Sequence, residues 1–90
     1  MFQVGKDRTL YFDQNGQIMG MLTYPKEASG VVNINYIFVD PSLRGRKIAS
    51  QLLEHAFSYL VLKNEKIICS CPYVKHWLQK HPEYQPFVEE

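Results

Sequence analysis

The sequence predicts an α/β domain with a mixed sheet of about five strands, one long helix and a short C-terminal helix. An Asn-Gly pair separates two apolar runs near the start, which is typical of a β-hairpin. Further on, a long apolar run precedes a segment with helical periodicity, and a short apolar run follows it. Strand, helix and strand in this order form a βαβ unit with parallel strands and a right-handed crossover.

The N-terminal part of the chain is predicted to be β-structure. A hairpin covers residues 9–24, with its tight turn at Asn15 and Gly16. Residues 25–30 are predicted to form a second turn. A long strand follows over residues 31–40, and its end is apolar on both faces, which is typical of a central strand covered on both sides.

The C-terminal part is predicted to complete the βαβ unit and to add a second helix. Apolar residues recur at intervals of three and four over residues 45–62, which predicts a helix. Residues 63–64 are placed to cap it. A buried strand over residues 65–71 and a short helix over residues 72–80 follow. Residues 84–90 are compatible with a last strand or with an ordered arm.

The composition fits one small domain over residues 1–90. The hydrophobic share is 46% and the aromatic share 13%, enough for a single core. The formal net charge of +1 argues against a protein that binds nucleic acid or an anionic membrane through its overall field. No targeting segment or membrane-spanning run is visible, and the only cysteines are Cys69 and Cys71. We therefore expect free thiols and a cytoplasmic location.

The turn before the long helix carries the strongest functional signal. Arg44, Arg46 and Lys47 surround Gly45, and Pro41 ends the preceding strand. The first N–H groups of a helix lack partners within the helix and bind anions. Each positive side chain there is unfavourable by roughly 0.3–1 kcal/mol. A solvated basic helix start remains the alternative, but a phosphate-bearing ligand would offset the unfavourable charges.

Other anion-binding classes fit the turn less well. The P-loop pattern G-x-x-x-x-G-K-[ST] and the dinucleotide pattern G-x-G-x-x-G are both absent from the sequence. A nucleic-acid contact is disfavoured because no basic stripe interleaved with aromatic residues accompanies the turn. A metal site is not expected, because no histidine pairs with cysteines or carboxylates at ligand spacing.

The turn resembles that of the GNAT-superfamily N-acetyltransferases. Those proteins carry [QR]-x-x-G-x-[GA] directly after a strand that ends in V-x-P. Here Val39-Asp40-Pro41 corresponds to the strand end and Arg44-Gly45-Arg46-Lys47-Ile48-Ala49 to the turn, with Lys47 in place of the central glycine. Small single-domain members also carry C-P-[YF] after the next strand and H-P-E-[YF] after the next helix. Cys71-Pro72-Tyr73 and His81-Pro82-Glu83-Tyr84 match these motifs.

The resemblance implies a single minimal GNAT-like domain over residues 1–90 that binds coenzyme A. In the family, the amides of the turn hold the pyrophosphate, and the preceding strand pairs with the pantetheine arm. The expected coenzyme-binding residues are Phe38, Val39, Arg44, Gly45, Arg46, Lys47, Ile48, Ala49 and Ser50.

The first candidate for chemistry is Cys71, at the predicted start of the short helix. A helix N-terminus lowers the pKa of a thiol, so a partly exposed Cys71 could act as a nucleophile or a proton donor. The carboxyl ends of parallel strands share one sheet edge, which places Cys71 near the basic turn. The alternative is a small apolar residue filling the core. Cys69 is expected in the core.

The remaining catalytic candidates follow from the resemblance. Many family members use a tyrosine acid where Trp77 stands here, so Tyr84 or Tyr73 would have to replace it. The strand before the turn offers Tyr36 and Phe38 instead of a carboxylate base. The general base is therefore not identified.

The predicted function is acetyl-CoA-dependent transfer of an acetyl group to a primary amine, by direct attack of the amine. The alternative is a non-catalytic module that binds coenzyme A or acyl-CoA, which the missing carboxylate and Trp77 favour. The expected partners are a coenzyme A thioester and an amine acceptor, with no nucleic acid, membrane or metal. The chain is expected to be a monomer or a homodimer.

Overall fold

The computed structural model describes residues 1–89. The strands are β1 (Phe2–Val4), β2 (Arg8–Phe12), β3 (Ile18–Thr23), β4 (Lys26–Ala28), β5 (Val31–Ile34), β6 (Tyr36–Val39) and β7 (Lys66–Cys69). The helices are α1 (Ile48–Leu62) and α2 (Pro72–Gln79), with 3-10 helices at Pro41–Leu43 and Pro82–Phe87.

The strands form two sheets, and the chain passes between them from β3 to β4 and from β5 to β6. One sheet has the order β1-β2-β3-β6 and is antiparallel, and the other has the order β4-β5-β7. Strands β5 and β7 are parallel, with Val31 opposite Lys66 and Ile34 opposite Cys69. The predicted hairpin is β2–β3, and the predicted βαβ unit runs from β5 through α1 to β7. The mixed α/β fold is thus confirmed.

The prediction of one continuous strand over residues 31–40 is wrong, because the strand divides at Asn35 into β5 and β6. The Asn35 N–H donates to the carbonyl oxygen of Thr23 at 3.2 Å, and the Thr23 hydroxyl donates to Asn35 Oδ1 at 2.6 Å. Strand β5 pairs with β4 and β7, whereas β6 pairs only with β3. The break lets β6 diverge from β7 and leaves a gap between the two sheets.

The strand count also differs from the prediction. Residues 25–30 form β4 and its turn into β5, and β1 is an additional strand that the sequence did not signal. Only Gly16, not Asn15, has a positive φ in the β2–β3 turn. If the bent pairs β3–β4 and β5–β6 are each counted once, the strands are β1, β2, β3–β4, β5–β6 and β7, in agreement with the expected sheet.

Helix α1 packs its apolar side against both sheets. Its buried residues are Ile48, Leu52, Leu53, Ala56, Phe57 and Leu60. They meet strand residues that are fully buried, namely Leu22, Val32, Ile34 and Ile67. Each such side chain contributes about 1.5–3 kcal/mol through removal from water. The core thus lies along α1 and holds the two sheets together despite the gap between them.

The end of α1 confirms the predicted cap. Asn64 adopts a left-handed conformation with φ of 59°. Its N–H donates to the Val61 carbonyl at 3.0 Å, and the Glu65 N–H donates to the Leu60 carbonyl at 3.1 Å. These bonds form a Schellman motif, which satisfies carbonyl groups that the helix leaves free.

Helix α2 is fixed to the first turn of α1 by a tryptophan. The Trp77 indole N–H donates to Ser50 Oγ at 2.6 Å, and Trp77 is only 5% exposed. The His81 ring stacks on Trp77 with ring centroids 3.9 Å apart, and the Phe57 ring is stacked with Trp77 at a centroid distance of 6.2 Å. After the 3-10 helix, Val88 forms a parallel bridge with Ile67, so the predicted C-terminal segment is, up to residue 89, an ordered arm against β7; residue 90 lies outside the described residues.

Replacing Ser50 tests this attachment. Ser50→Ala leaves the buried indole N–H without an acceptor and is expected to lower the free energy of unfolding by about 1–3 kcal/mol. Urea unfolding followed by Trp77 fluorescence measures this, because Trp77 is the single tryptophan. Ser58→Ala is the matched control, since Ser58 is an exposed serine on the same helix. Equal stability of the two variants would contradict the role of the bond.

Candidate active site

A cleft of about 580 Å³ lies between β6, the start of α1 and the start of α2. Its lining residues are Ile37, Val39, Leu43, Arg44, Gly45, Lys47, Ile48, Ala49, Ser50 and Tyr73. Most of the residues that the sequence predicts for coenzyme binding are therefore brought together at one place. We refer to this site as the cleft.

Two predicted residues do not line the cleft, and three lining residues were absent from the predicted set. Phe38 lies on the opposite face of β6 and is 39% exposed, and Arg46 is exposed but is not among the lining residues. Ile37, Leu43 and Tyr73 are the additional lining residues. The alternation of side chains in a strand could have indicated Ile37, because it shares a face with Val39.

The free edge of β6 forms one wall of the cleft. The Asp40 N–H donates to the Met19 carbonyl at 2.8 Å, and Phe38 lies opposite Met21. Since backbone groups alternate in direction along an antiparallel strand, Ile37 and Val39 turn their N–H and C=O groups to the other edge. Strand β6 is the last in its sheet, so within residues 1–89 no strand pairs with this edge.

Free amides lie at the other end of the cleft. The N–H groups of Arg44 and Arg46 donate to the carbonyls of Pro41 and Leu43, each at 3.2 Å. Among residues 1–89, no protein acceptor receives the N–H of Gly45, Lys47, Ile48, Ala49 or Ser50. These amides form a cradle at the positive end of the α1 dipole, which suits an anionic group.

Lys47 marks a difference between the predicted and the observed helix start. The helix begins at Ile48 rather than Gly45, because Gly45 and Lys47 have φ values of 82° and 60°. A lysine in this left-handed conformation is strained, whereas a glycine adopts it freely. The pattern of alternating conformations turns successive amides toward one point.

The cations of the turn pair with none of the carboxylates in residues 1–89. Within residues 1–89, no salt bridge involves Arg44, Arg46 or Lys47. The nearby Asp40 instead caps the 3-10 helix, since it accepts the Ser42 hydroxyl at 2.5 Å and the Ser42 N–H at 3.0 Å. These bonds hold the pKa of Asp40 below its usual value. The positive potential at the cleft is therefore not neutralised by the protein.

Cys71 is buried, contrary to the expectation of a partly exposed thiol. It is 7% exposed, belongs to the hydrophobic core and does not line the cleft. It does cap α2 as predicted, but through its backbone rather than its sulfur. Cys69 is the more exposed thiol, and burial raises its pKa. The exposures of the two cysteines are therefore the reverse of the expectation, and the catalytic role of Cys71 stays a prediction.

Tyr84 is part of an aromatic cluster away from the cleft. Its ring lies 5.0 Å from Phe57 and 5.4 Å from Trp77. Desolvation is the main reason why the pKa of the Tyr84 hydroxyl is raised above its usual value. These contacts give Tyr84 a packing role, and its catalytic role stays a prediction.

A second cavity of about 690 Å³ lies on the other side of α2, between that helix, β7 and the C-terminal arm. It contains Cys69, Lys75 and Gln85 but none of the predicted coenzyme-binding residues. Although it is larger, it lacks the free amides and the group of cations. The cleft is therefore the better candidate for binding a phosphate-bearing ligand.

The molecule is thus a mixed α/β domain whose strands separate beside a cationic helix start. The sequence model of the GCN5-related N-acetyl-transferases matches residues 8–87. The chain therefore belongs to the GCN5-related N-acetyltransferase family, whose members are acyltransferases. No curated protein sequence matches the chain.

Solved structures agree with this assignment. The NMR solution structure of a GCN5-like protein from Staphylococcus aureus is 27% identical, with a TM-score of 0.78, over 99% of this chain and 87% of that one. A GNAT-family acetyltransferase from the same species is 16% identical, with a TM-score of 0.68, over 82% of this chain and 50% of that one. Nourseothricin acetyltransferase is 14% identical, with a TM-score of 0.55, over 67% of this chain and 36% of that one. The last two similarities show a shared fold.

The described part of the chain offers neither a metal-binding cluster nor a membrane-spanning helix. Residues 1–89 hold no group of three or more histidine, cysteine or acidic side chains placed to bind a metal ion. Neither α1 nor α2 is long and apolar enough to cross a bilayer.

The strain at Lys47 can be measured without ligand. Lys47→Gly and Lys47→Ala both remove the charge, but only glycine relieves the left-handed conformation. Lys47→Gly is expected to exceed Lys47→Ala in free energy of unfolding by about 1 kcal/mol. Urea unfolding measures both values. An alanine variant as stable as the glycine variant would show that position 47 is not held at positive φ.

Proposed function

We propose that the chain is a single minimal acetyltransferase domain that binds acetyl-CoA in the cleft and transfers the acetyl group to a primary amine. The observation that supports this most is the combination of free amides and unpaired cations with the free edge of β6. An anionic nucleotide and an extended amide-containing arm need these two features together. The free thiols of Cys69 and Cys71 suit a reducing cytoplasm.

The pyrophosphate of the coenzyme would lie at the amides of Gly45 and Lys47 to Ser50. Backbone N–H groups at a helix start bind phosphate well, and Arg44 and Lys47 add positive charge at the rim. The pantetheine arm carries amide groups, which can pair with the outward N–H and C=O groups of Ile37 and Val39. Phe38 is not needed for this pairing, because its backbone groups face β3.

The reaction needs a neutral amine whose nitrogen attacks the thioester carbon. The new N–C bond forms, the C–S bond breaks, and the amine proton leaves to solvent or to a base. No acidic side chain lines the cleft among the described residues. An amine that arrives neutral would therefore suit this site. Cys71 is buried behind the lining, and we propose that it protonates the leaving thiolate and regains its proton from the one that the amine releases.

A second candidate function is a binding module without catalysis. The observation that favours it is the burial of Cys71, together with the packing of Tyr84 among aromatic rings. In that case the cleft would hold coenzyme A or acyl-CoA and release no product. The two functions share the binding site and differ only in turnover.

Ligand binding is tested by thermal unfolding with and without acetyl-CoA and coenzyme A. A ligand at 100 times its Kd is expected to stabilise the folded chain by about 2.7 kcal/mol. The control is Gly45→Ala, which forces a side chain onto a backbone with φ of 82° and distorts the cradle. Gly45→Ala is therefore expected to lose most of the stabilisation that the ligand gives to the unaltered chain. No shift with either ligand for the unaltered chain would contradict both candidate functions.

Turnover is tested by release of free coenzyme A thiol in the presence of primary amines. Cys71→Ala is expected to slow release strongly while leaving coenzyme A affinity nearly unchanged. Cys69→Ala is the matched control and should retain turnover. Unchanged turnover in Cys71→Ala would remove Cys71 from the mechanism. Binding without thiol release for any amine would favour the binding module.

A further inference from the structure

Tyr73, one of the two candidates to replace the tyrosine acid that Trp77 displaces, lines the cleft. It belongs to the first turn of α2 and is 50% exposed. It lies across the cleft from β6, whose residues Ile37 and Val39 form the facing wall. None of the side-chain hydrogen bonds found within residues 1–89 involves the Tyr73 hydroxyl. An exposed aromatic residue at this place is available to a ligand.

The backbone that carries Tyr73 is held in a fixed position relative to the amide cradle. Trp77 lies one helical turn further along α2 and donates its indole N–H to Ser50, a residue of the cradle, at 2.6 Å. His81 Nδ1 lies 2.8 Å from the Trp77 carbonyl oxygen, and Val74 is fully buried. Helix α2 therefore presents Tyr73 at a constant distance from the phosphate end of the cleft.

The two walls differ in the groups that they present. The β6 edge supplies peptide N–H and C=O groups in an extended row, which can pair with amides. Tyr73 supplies a flat apolar ring and one hydroxyl, which can cover an extended chain and bond one amide. The cations lie only at the α1 end, so the charge of a ligand would lie there and its uncharged part between the walls.

We propose that Tyr73 is a positioning residue that holds the pantetheine arm against the edge of β6. This inference rests on the proposed binding of coenzyme A and adds to it the residue on the second wall. The ring covers the arm from the α2 side, and the hydroxyl bonds one of its amides. Tyr73 thus determines affinity for the arm and not for the nucleotide.

The test compares two ligands by isothermal titration calorimetry. Coenzyme A carries the arm, and 3′-phosphoadenosine 5′-diphosphate carries the same nucleotide phosphates without it. Tyr73→Ala is expected to weaken coenzyme A about tenfold and to leave the nucleotide within about twofold. Tyr73→Phe keeps the ring and should lose less than Tyr73→Ala. Because Tyr73 is exposed, both variants are expected to fold, and circular dichroism checks this.

Tyr36→Ala is the matched control. Tyr36 is also 50% exposed, but it lies on β6 beside Phe38 on the face away from the cleft. Tyr36→Ala should leave the affinities for coenzyme A and for 3′-phosphoadenosine 5′-diphosphate unchanged. Equal affinities of Tyr73→Ala and the unaltered chain for coenzyme A would overturn the role of Tyr73, as would an equal loss for both ligands. No binding of coenzyme A by the unaltered chain would instead overturn the proposed function.

Discussion

The division of the long strand at Asn35 is the constraint on which the rest of the site depends. Up to Ile34 the strand pairs with β7, and from Tyr36 onward it pairs only with β3. The two hydrogen bonds between Asn35 and Thr23 hold the second segment on that side. Helix α1 packs on both sheets, so the core remains continuous although the sheet is open. The result is a strand edge that a ligand can reach, directly beside a helix N-terminus.

The turn at this helix start carries several unfavourable features that a single anion would offset together. Lys47 holds a left-handed conformation, which costs about 1–2 kcal/mol for a residue with a Cβ. Arg44, Arg46 and Lys47 add positive charge at the positive end of the α1 dipole, and no described carboxylate pairs with them. The amides beside them lack acceptors. Such a concentration of unfavourable terms is typical of a site shaped for binding rather than for stability.

Sequence patterns were sufficient for the βαβ unit, the cap at Asn64 and the basic turn, because each depends on local spacing and local chemistry. They could not give the break at Asn35, which arises from pairing with distant strands. They also could not give the burial of Cys71, since exposure at the start of α2 depends on how that helix packs on α1. The position of Tyr73 at the cleft also depends on how α2 packs on α1, which the sequence does not show. The positive φ of Lys47 could not be predicted from the residue type, because lysine rarely adopts the left-handed conformation.

The central claim is that one ligand occupies both the amide cradle and the β6 edge. Amide chemical shifts recorded by NMR during titration with coenzyme A test it most directly, since each wall has its own N–H groups. The account predicts large changes at Gly45 and residues 47–50, together with Ile37 and Val39, and small changes around Val88 in the second cavity. Changes confined to the second cavity, or to the cradle without the β6 edge, would contradict it.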